Sequence, residues 1–537
     1  MAISRRTFIS SSLLSMASVL PLSLADALLA QAATPVKRRD VNGTDAAAVA
    51  AVKSYRRGVL IMKERPPHDP TSWTFQANIH AYPGSKGVMN DDPEKEFRET
   101  FPDTIPGLSP AERARRLQMA RTVWNTCPHG PASFLSWHRV YLYFFERTVA
   151  AAAGEATFGL PYWNWTKDRS LPKSFWESVD GVQDKNALYW SNRNPGINGG
   201  ADGSPPTRAL TQSNVRIEML SDPILDERLQ AGDTTGFGRR IEQRPHGPVH
   251  TTVGNDTGMG FFEAAARDPI FWLHHANIDR LWESWSKLPG HANPATPSWR
   301  ADRHSFAGPD GQLTSLTTEQ VLVAAQILQQ AYEYDHEETL ILAAAPAPTP
   351  AATVTTVAGE APIPRSAPQP GAPAAATASQ PAIAKVEAVT LSDQPKEVTL
   401  TPSGPAAALP AGAAPNERWI LVLRDLSVVQ SPADSFAVYI NLPDGQATDP
   451  GRSEPAQYFV GELDFFYAVR KGSKSGGQHT GHGVEAPLWE RDVTAILRRQ
   501  NWGGGAVKVT IVPTAGTVDP KSEPAIGSVE LIRRSGG

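Results

Sequence analysis

Six of the 13 histidines in the chain fall into groups that suit metal binding, since imidazole nitrogens ligate copper, zinc, iron and nickel alike. His246 and His250 lie four apart in Pro245-His-Gly-Pro-Val-His250. On a helix that spacing puts both rings on one face, within reach of a single ion. Pro248 is compatible with a helix that begins there. A zinc-protease pair would carry glutamate directly after its first histidine, where this chain has Gly247. Two ordinary capping histidines are the bland alternative.

His274 and His275 occur in the helical run from Asp268 to Trp282. They stand about 100° apart around the axis, so only one can face a given ion. Asp279, one turn past His275, is placed to orient its ring or its helix face. His129 and His138 are separated by roughly two and a half helical turns and cannot share a face. His129 is expected in a loop after Pro128, with His138 starting a helix. His80 closes Gln76-Ala-Asn-Ile-His80.

Two longer patterns carry a family resemblance. His129 through Glu146 contains Phe134-Leu-Ser-Trp-His-Arg139, followed by Leu142 and Glu146, and Asp268-Pro-Ile-Phe-Trp-Leu-His-His275 is followed by Asp279. These segments resemble the two signatures of the tyrosinase and polyphenol oxidase family, the type-3 dicopper proteins, and the resemblance extends over residues 45–535. It implies one copper on His80, His129 and His138 and a second on His246, His250 and His275, with His275 rather than His274 as ligand. It also implies an oxidase that uses O2 to convert catechols to o-quinones and to hydroxylate monophenols at the ortho position, with small phenols as substrates. No organic cofactor is expected, because the metals supply the redox chemistry. The rival functions are a catechol oxidase without the hydroxylating step, a non-catalytic O2 carrier like the haemocyanins, and a zinc or structural metalloprotein with the same ligands.

Further residues gain roles from the resemblance. Cys127, two before His129, matches a cysteine that forms a thioether to a ligand ring, which implies a Cys127–His129 crosslink here. Glu242 matches an acidic residue that holds a water able to deprotonate an incoming phenol, whose pKa is about 10. Relatives that hydroxylate monophenols often place asparagine where this chain has Gly247. Phe262 resembles an aromatic gate over the substrate site, and Phe261 could serve instead. Arg267 and Arg280 read as structural ion-pairing residues.

The elements that must position these residues change character along the chain. Pro110 to Trp124, Trp137 to Ala152, Phe261 to Leu288 and Thr317 to Ala331 carry apolar residues at three- and four-residue spacing and predict helices. Gly181 to Ser204 is rich in Asn, Gly and Pro and predicts a long loop. Residues 343–383 are an Ala/Pro-rich linker. Beyond it, β-forming clusters at Val386–Leu391, Glu397–Leu400, Trp419–Leu423, Phe436–Asn441, Tyr458–Val469 and Ala506–Val512 predict strands, with a helical insert at Leu488–Gln500. The expected architecture is a mainly α catalytic domain over residues 45–342, a four-helix-bundle dicopper core with long loops, followed by an all-β sandwich over residues 384–535. Phe436-Ala-Val-Tyr-Ile-Asn-Leu-Pro443 resembles the hallmark strand of the domain that follows the catalytic domain in plant polyphenol oxidases. That likeness implies a shield over the copper site, released by proteolysis in an accessible linker. His479 and His482, in a Gly/Ser loop, read as solvated.

Hydrophobic content of 40% and charged content of 20% are those of a globular protein, and a net charge of -4 gives no electrostatic reason to expect nucleic acid or an anionic membrane as partner. Ser4-Arg-Arg-Thr-Phe-Ile9, the apolar stretch to Leu29 and Ala30-Gln-Ala32 resemble a twin-arginine export signal over residues 1–32, which predicts a periplasmic or secreted protein. Pro21 and Asp26 interrupt the apolar run and argue against a membrane anchor. With a single cysteine, the chain can form no intramolecular disulfide.

Overall fold

The computed structural model describes residues 36–83, 92, 94–128, 133–212, 214–215, 217, 236–322, 332–338, 382–402, 417–444, 457–471, 488–514, 516 and 518–535. The expected export signal, His129, nearly all of the expected linker, His479 and His482 therefore lie outside the described residues. Among the described residues, no helix is long and apolar enough to cross a membrane.

The N-terminal part is helical: α1 (Ala46–Glu64), α2 (Trp73–His80), α3 (Pro110–Val123), α4 (Phe134–Ala153), α5 (Gly247–Val253) and α6 (Ile270–Ser286). Asp45 caps α1 by accepting the Ala47 and Ala48 N–H groups, and Ser72 caps α2 by accepting that of Phe75. Gly154, at φ 70°, ends α4 in the left-handed conformation glycine favours. Helices α4 and α6 are buried on nearly every face, as expected for helices that are apolar or aromatic all round. They lock together through Phe145 and Trp272, whose rings stack with centroids 3.4 Å apart. Gly58 lets α1 close on α4, since a Cβ there would stand 2.7 Å from Val149 Cγ1.

A short strand, β1 (Val36–Arg38), precedes the expected start of this region and pairs in parallel with β4 (Tyr332–Tyr334); β2 (Arg303–Ala307) and β3 (Leu313–Thr317) form a hairpin. Their knot is Asp279. Rather than orienting His275, its carboxylate accepts from Arg139 Nε (2.6 Å), Arg38 Nη1 (3.3 Å), and the Tyr332 and Tyr334 hydroxyls (2.9 and 2.7 Å). Arg38 also donates to Glu146 at 2.8 Å, so β1, β4, α4 and α6 converge on one buried ion network. The two arginines hold the Asp279 carboxyl below the usual range in spite of burial, which pushes it the other way. Asp279→Ala leaves two buried guanidinium groups short of a partner and should cost about 3–5 kcal/mol. Thermal unfolding should register this as a drop of several degrees, with no drop indicating a network that contributes nothing.

The C-terminal part is a sandwich of two sheets. The strands are β5 (Ala384–Thr390), β6 (Lys396–Leu400), β7 (Glu417–Arg424), β8 (Ser427–Val428), β9 (Phe436–Ile440), β10 (Phe459–Leu463), β11 (Val469–Arg470), β12 (Leu488–Asp492), β13 (Val507–Pro513) and β14 (Ala525–Ser535). One sheet has the order β10-β9-β13-β6; the other runs β11-β8-β14-β7-β12, with β5 also paired to β14. Alternate residues of both sheets, such as Leu421, Val438, Ile511 and Val529, fill one core between them.

Several expectations from the sequence need correction. The insert at 488–500 is strand β12 followed by a short helix, Thr494–Arg499, because Leu488–Asp492 pairs with β7. Tyr458–Val469 splits into β10 and β11, separated by the turn 464–468. Helix α6 begins only at Ile270, after Pro269, and α4 begins at Phe134, one turn before His138. Of Thr317–Ala331, Thr317 ends β3 and 318–322 are helical, while the remainder lies outside the described residues.

The two parts exchange phenylalanines. Phe466, from the turn after β10, belongs to the helical core, whereas Phe261 packs into the sandwich core. Polar contacts flank this exchange. Asn214 Nδ2 donates to Glu462 at 2.7 Å, and Arg244 Nε lies 3.5 Å from the same carboxylate.

Candidate metal centre

Four helices bring six of the described histidines to one buried place. His80 ends α2, His138 sits in the second turn of α4, His250 lies on α5 with His246 just before it, and His274 and His275 are on α6. None is more than 2% exposed. The His138 and His275 rings stack with centroids 4.2 Å apart, the Nε2 atoms of His250 and His275 are 3.3 Å apart, and the His80 ring centroid is 6.5 Å from that of His275. Among the described residues, two clusters each offer ligand atoms within 4.8 Å of one another: His80, Cys127 and His138, and His246, His250, His274 and His275.

Local backbone fixes the rings. His138 Nδ1 faces the Phe134 carbonyl at 2.8 Å, His246 Nδ1 that of Glu242 at 3.2 Å, and His250 Nδ1 that of Met259 at 3.0 Å. A carbonyl only accepts, so each Nδ1 carries the proton and each Nε2 keeps its lone pair for a metal. His274 differs: its Nδ1 accepts the Trp165 indole N–H at 3.2 Å, which puts its proton on Nε2. Burial lowers the pKa of His138 and His250 to about 3 and holds His274 and His275 well below the usual range, so all four are neutral. Neutral, buried imidazoles fit a pair of copper ions and do not fit oxygen-seeking calcium or magnesium.

Cys127 is buried, with Sγ 3.3 Å from His138 Nε2. Its predicted partner His129 lies outside the described residues. If a thioether forms, it removes two hydrogens, and intact mass of the metal-stripped chain should fall by about 2 Da. An unshifted mass rejects the crosslink.

Glu242 is 1% exposed and opens a five-residue π turn, Glu242–His246, in which Arg244 leaves helical geometry at φ -167°, ψ 125°. It is a buried carboxylate rather than a solvated one, and its charge is felt by both His138 and Asp464. Phe262 lies 4.6 Å from the His80 ring, centroid to centroid. Phe261 is turned away into the sandwich and cannot share that place. Arg267 pairs with Glu96 (2.7 Å) and Arg280 with Glu338 (2.6 Å), both structural as the sequence indicated.

Residues that sequence reasoning missed come from the sandwich. Phe466 stacks on His250 with centroids 4.1 Å apart and planes 20° from parallel, and the Tyr467 hydroxyl is 3.3 Å from His246 Nδ1. Asp464 presses against Gly247 and accepts the Phe466 N–H at 3.0 Å. Burial, together with the charges of Glu462 and Glu242, raises its pKa to about 7. The sequence signal was the aromatic run Phe465-Phe466-Tyr467, which only the docking of two domains converts into a site feature.

Comparison with known proteins agrees with this geometry. Residues 70–288 match the family described as the common central domain of tyrosinase, and residues 373–534 match a domain of unknown function (DUF7868). A tyrosinase from Hahella sp. (strain CCB-MM4) is 31% identical over 297 residues, covering 52% of this chain and 59% of its own. A chloroplastic polyphenol oxidase from Malus domestica is 26% identical over 429 residues, covering 76% of this chain and 65% of its own. The chain thus spans less than two thirds of the length of the curated relatives it matches. The structure of latent apple tyrosinase superposes with a TM-score of 0.56 at 20% identity, over 94% of this chain and 98% of that one, and so shares the fold. Residues 70–288, which carry both signatures, thus belong to the family of the common central domain of tyrosinase.

Proposed function

We propose that the protein oxidises small phenols with O2 at a two-copper site, and that its C-terminal sandwich keeps the site closed in the intact chain. His80, His129 and His138 would hold one copper and His246, His250 and His275 the other. The observation that carries this reading is the shared tautomer of His138, His246 and His250, each with Nδ1 on a backbone carbonyl and Nε2 directed inward. Of the adjacent pair, His275 is the ligand, because the Trp165 N–H commits the lone pair of His274 Nδ1 and leaves its Nε2 protonated.

Copper supplies the electron transfer; the chain supplies binding, proton handling and closure. In the balanced reaction, two catechols each lose two electrons and two protons to become o-quinones, and one O2 becomes two waters. Glu242, a buried carboxylate one helical turn before His246, would take the phenolic proton. Phe262 packs against His80 and offers an aromatic wall for the substrate ring. Gly247 supplies no side chain with which Glu242 could share a water, so catechol oxidation is better supported than monophenol hydroxylation. Phe466 occupies the face of His250 that a substrate ring would need, which supports a latent form.

Oxygen uptake with a panel of monophenols and the matching catechols, before and after cleavage in the 343–383 linker, tests the proposal. Uptake with catechols that rises after cleavage supports both parts. Uptake that is equal before and after removes the shield while leaving the oxidase.

A further inference from the structure

The closed state depends on one small volume. A Cβ built on Gly247 would lie 2.6 Å from Asp464 Cγ and 2.8 Å from its Oδ1, closer than real side chains approach. Asp464 cannot step aside cheaply, because its short side chain is buried and its Oδ1 holds the Phe466 N–H. That hydrogen bond shapes the turn that carries Phe466 onto His250. The carboxylate over Gly247 and the ring over the histidine are thus parts of one rigid turn, between β10 and β11.

We propose that Gly247 and Asp464 form a steric lock: residue 247 admits the sandwich only because it has no side chain, and any side chain there lifts Asp464 and, with it, Phe466 off the metal ligands. The proposal rests on reading the sandwich as a shield and goes beyond it by naming the contact that decides closure. Neighbouring contacts hold the same interface without setting it. Arg244 lies 3.5 Å from Glu462, and Arg491 donates to Gln243. Both are long side chains that can follow a small shift, whereas the 247–464 contact has no slack.

The test uses the full, copper-loaded chain and two readouts. One is the ratio of catechol turnover before linker cleavage to that after it. The other is amide hydrogen exchange of 463–469 against strand Val507–Pro513, which reports docking whatever the activity. Gly247→Ala should raise the ratio at least about fivefold and expose 463–469 to exchange while 507–513 stays protected. In an Asp464→Ala background the same substitution should change either readout less than about twofold, because the clashing atoms are gone. Asp464→Leu, placed on the sandwich side, should open the turn as Gly247→Ala does and serves if that variant fails to fold. Equal effects of Gly247→Ala in both backgrounds, or full protection of 463–469 in Gly247→Ala and Asp464→Leu, would overturn the lock. An unchanged turnover on cleaving the parent chain instead defeats the shield, and the exchange data still decide the lock.

Discussion

Replacing His275 with alanine should lower the copper content from two ions per chain to one and reduce catechol turnover by at least about a thousandfold. His275 is fully buried, its Nε2 is 3.3 Å from that of His250, and its ring lies on that of His138, so it joins the two halves of the centre. Losing it removes one ligand and opens a cavity that no neighbour can fill with a nitrogen lone pair. His274→Ala provides the contrast. That ring is equally buried and adjacent in sequence, yet its Nδ1 takes the Trp165 N–H. The variant should keep both coppers and lose stability rather than stoichiometry. One copper in His274→Ala with two in His275→Ala would reverse the assignment.

The second large effect belongs to Phe466. Phe466→Ala should raise the turnover of the intact chain about tenfold or more while leaving the linker-cleaved form nearly unchanged. The ring is 1% exposed and sits in the core of the helical part rather than in that of its own domain. Burial of such a side chain is worth about 1.5–3 kcal/mol, the scale on which a docking equilibrium moves tenfold or more. Loss of the ring both weakens docking and uncovers the face of His250. Turnover in the intact variant equal to that of the parent would mean that Phe466 is packing and not a plug.

The site was more legible in the sequence than the lid over it. His138 and His275 lie inside the two long signatures, whereas His80, His246 and His250 are read as copper ligands only through the family resemblance that those signatures carry; the structure brings all five together. Asp279 was legible as a special residue but not in its role, since its partners Arg38, Arg139, Tyr332 and Tyr334 come from distant segments. Strand β14 was missed because Gly527 interrupts its alternation and Arg533 and Arg534 resemble a solvated tail. Pairing with β5 and β7 on its two sides makes it central. Leu488–Asp492 has a helical composition that edge pairing overrides. Phe466 and Asp464 gain meaning only when the turn after β10 meets α5, a contact between residues more than two hundred positions apart.

The most direct test of the central claim is oxygen uptake with a catechol by the linker-cleaved chain, first stripped of metal and then reloaded with copper or with zinc. The account predicts no uptake in the stripped and zinc forms, and uptake by the copper form that saturates at two ions per chain and consumes one O2 for every two catechols. Absence of uptake at full copper loading, or the same uptake with zinc, would contradict it.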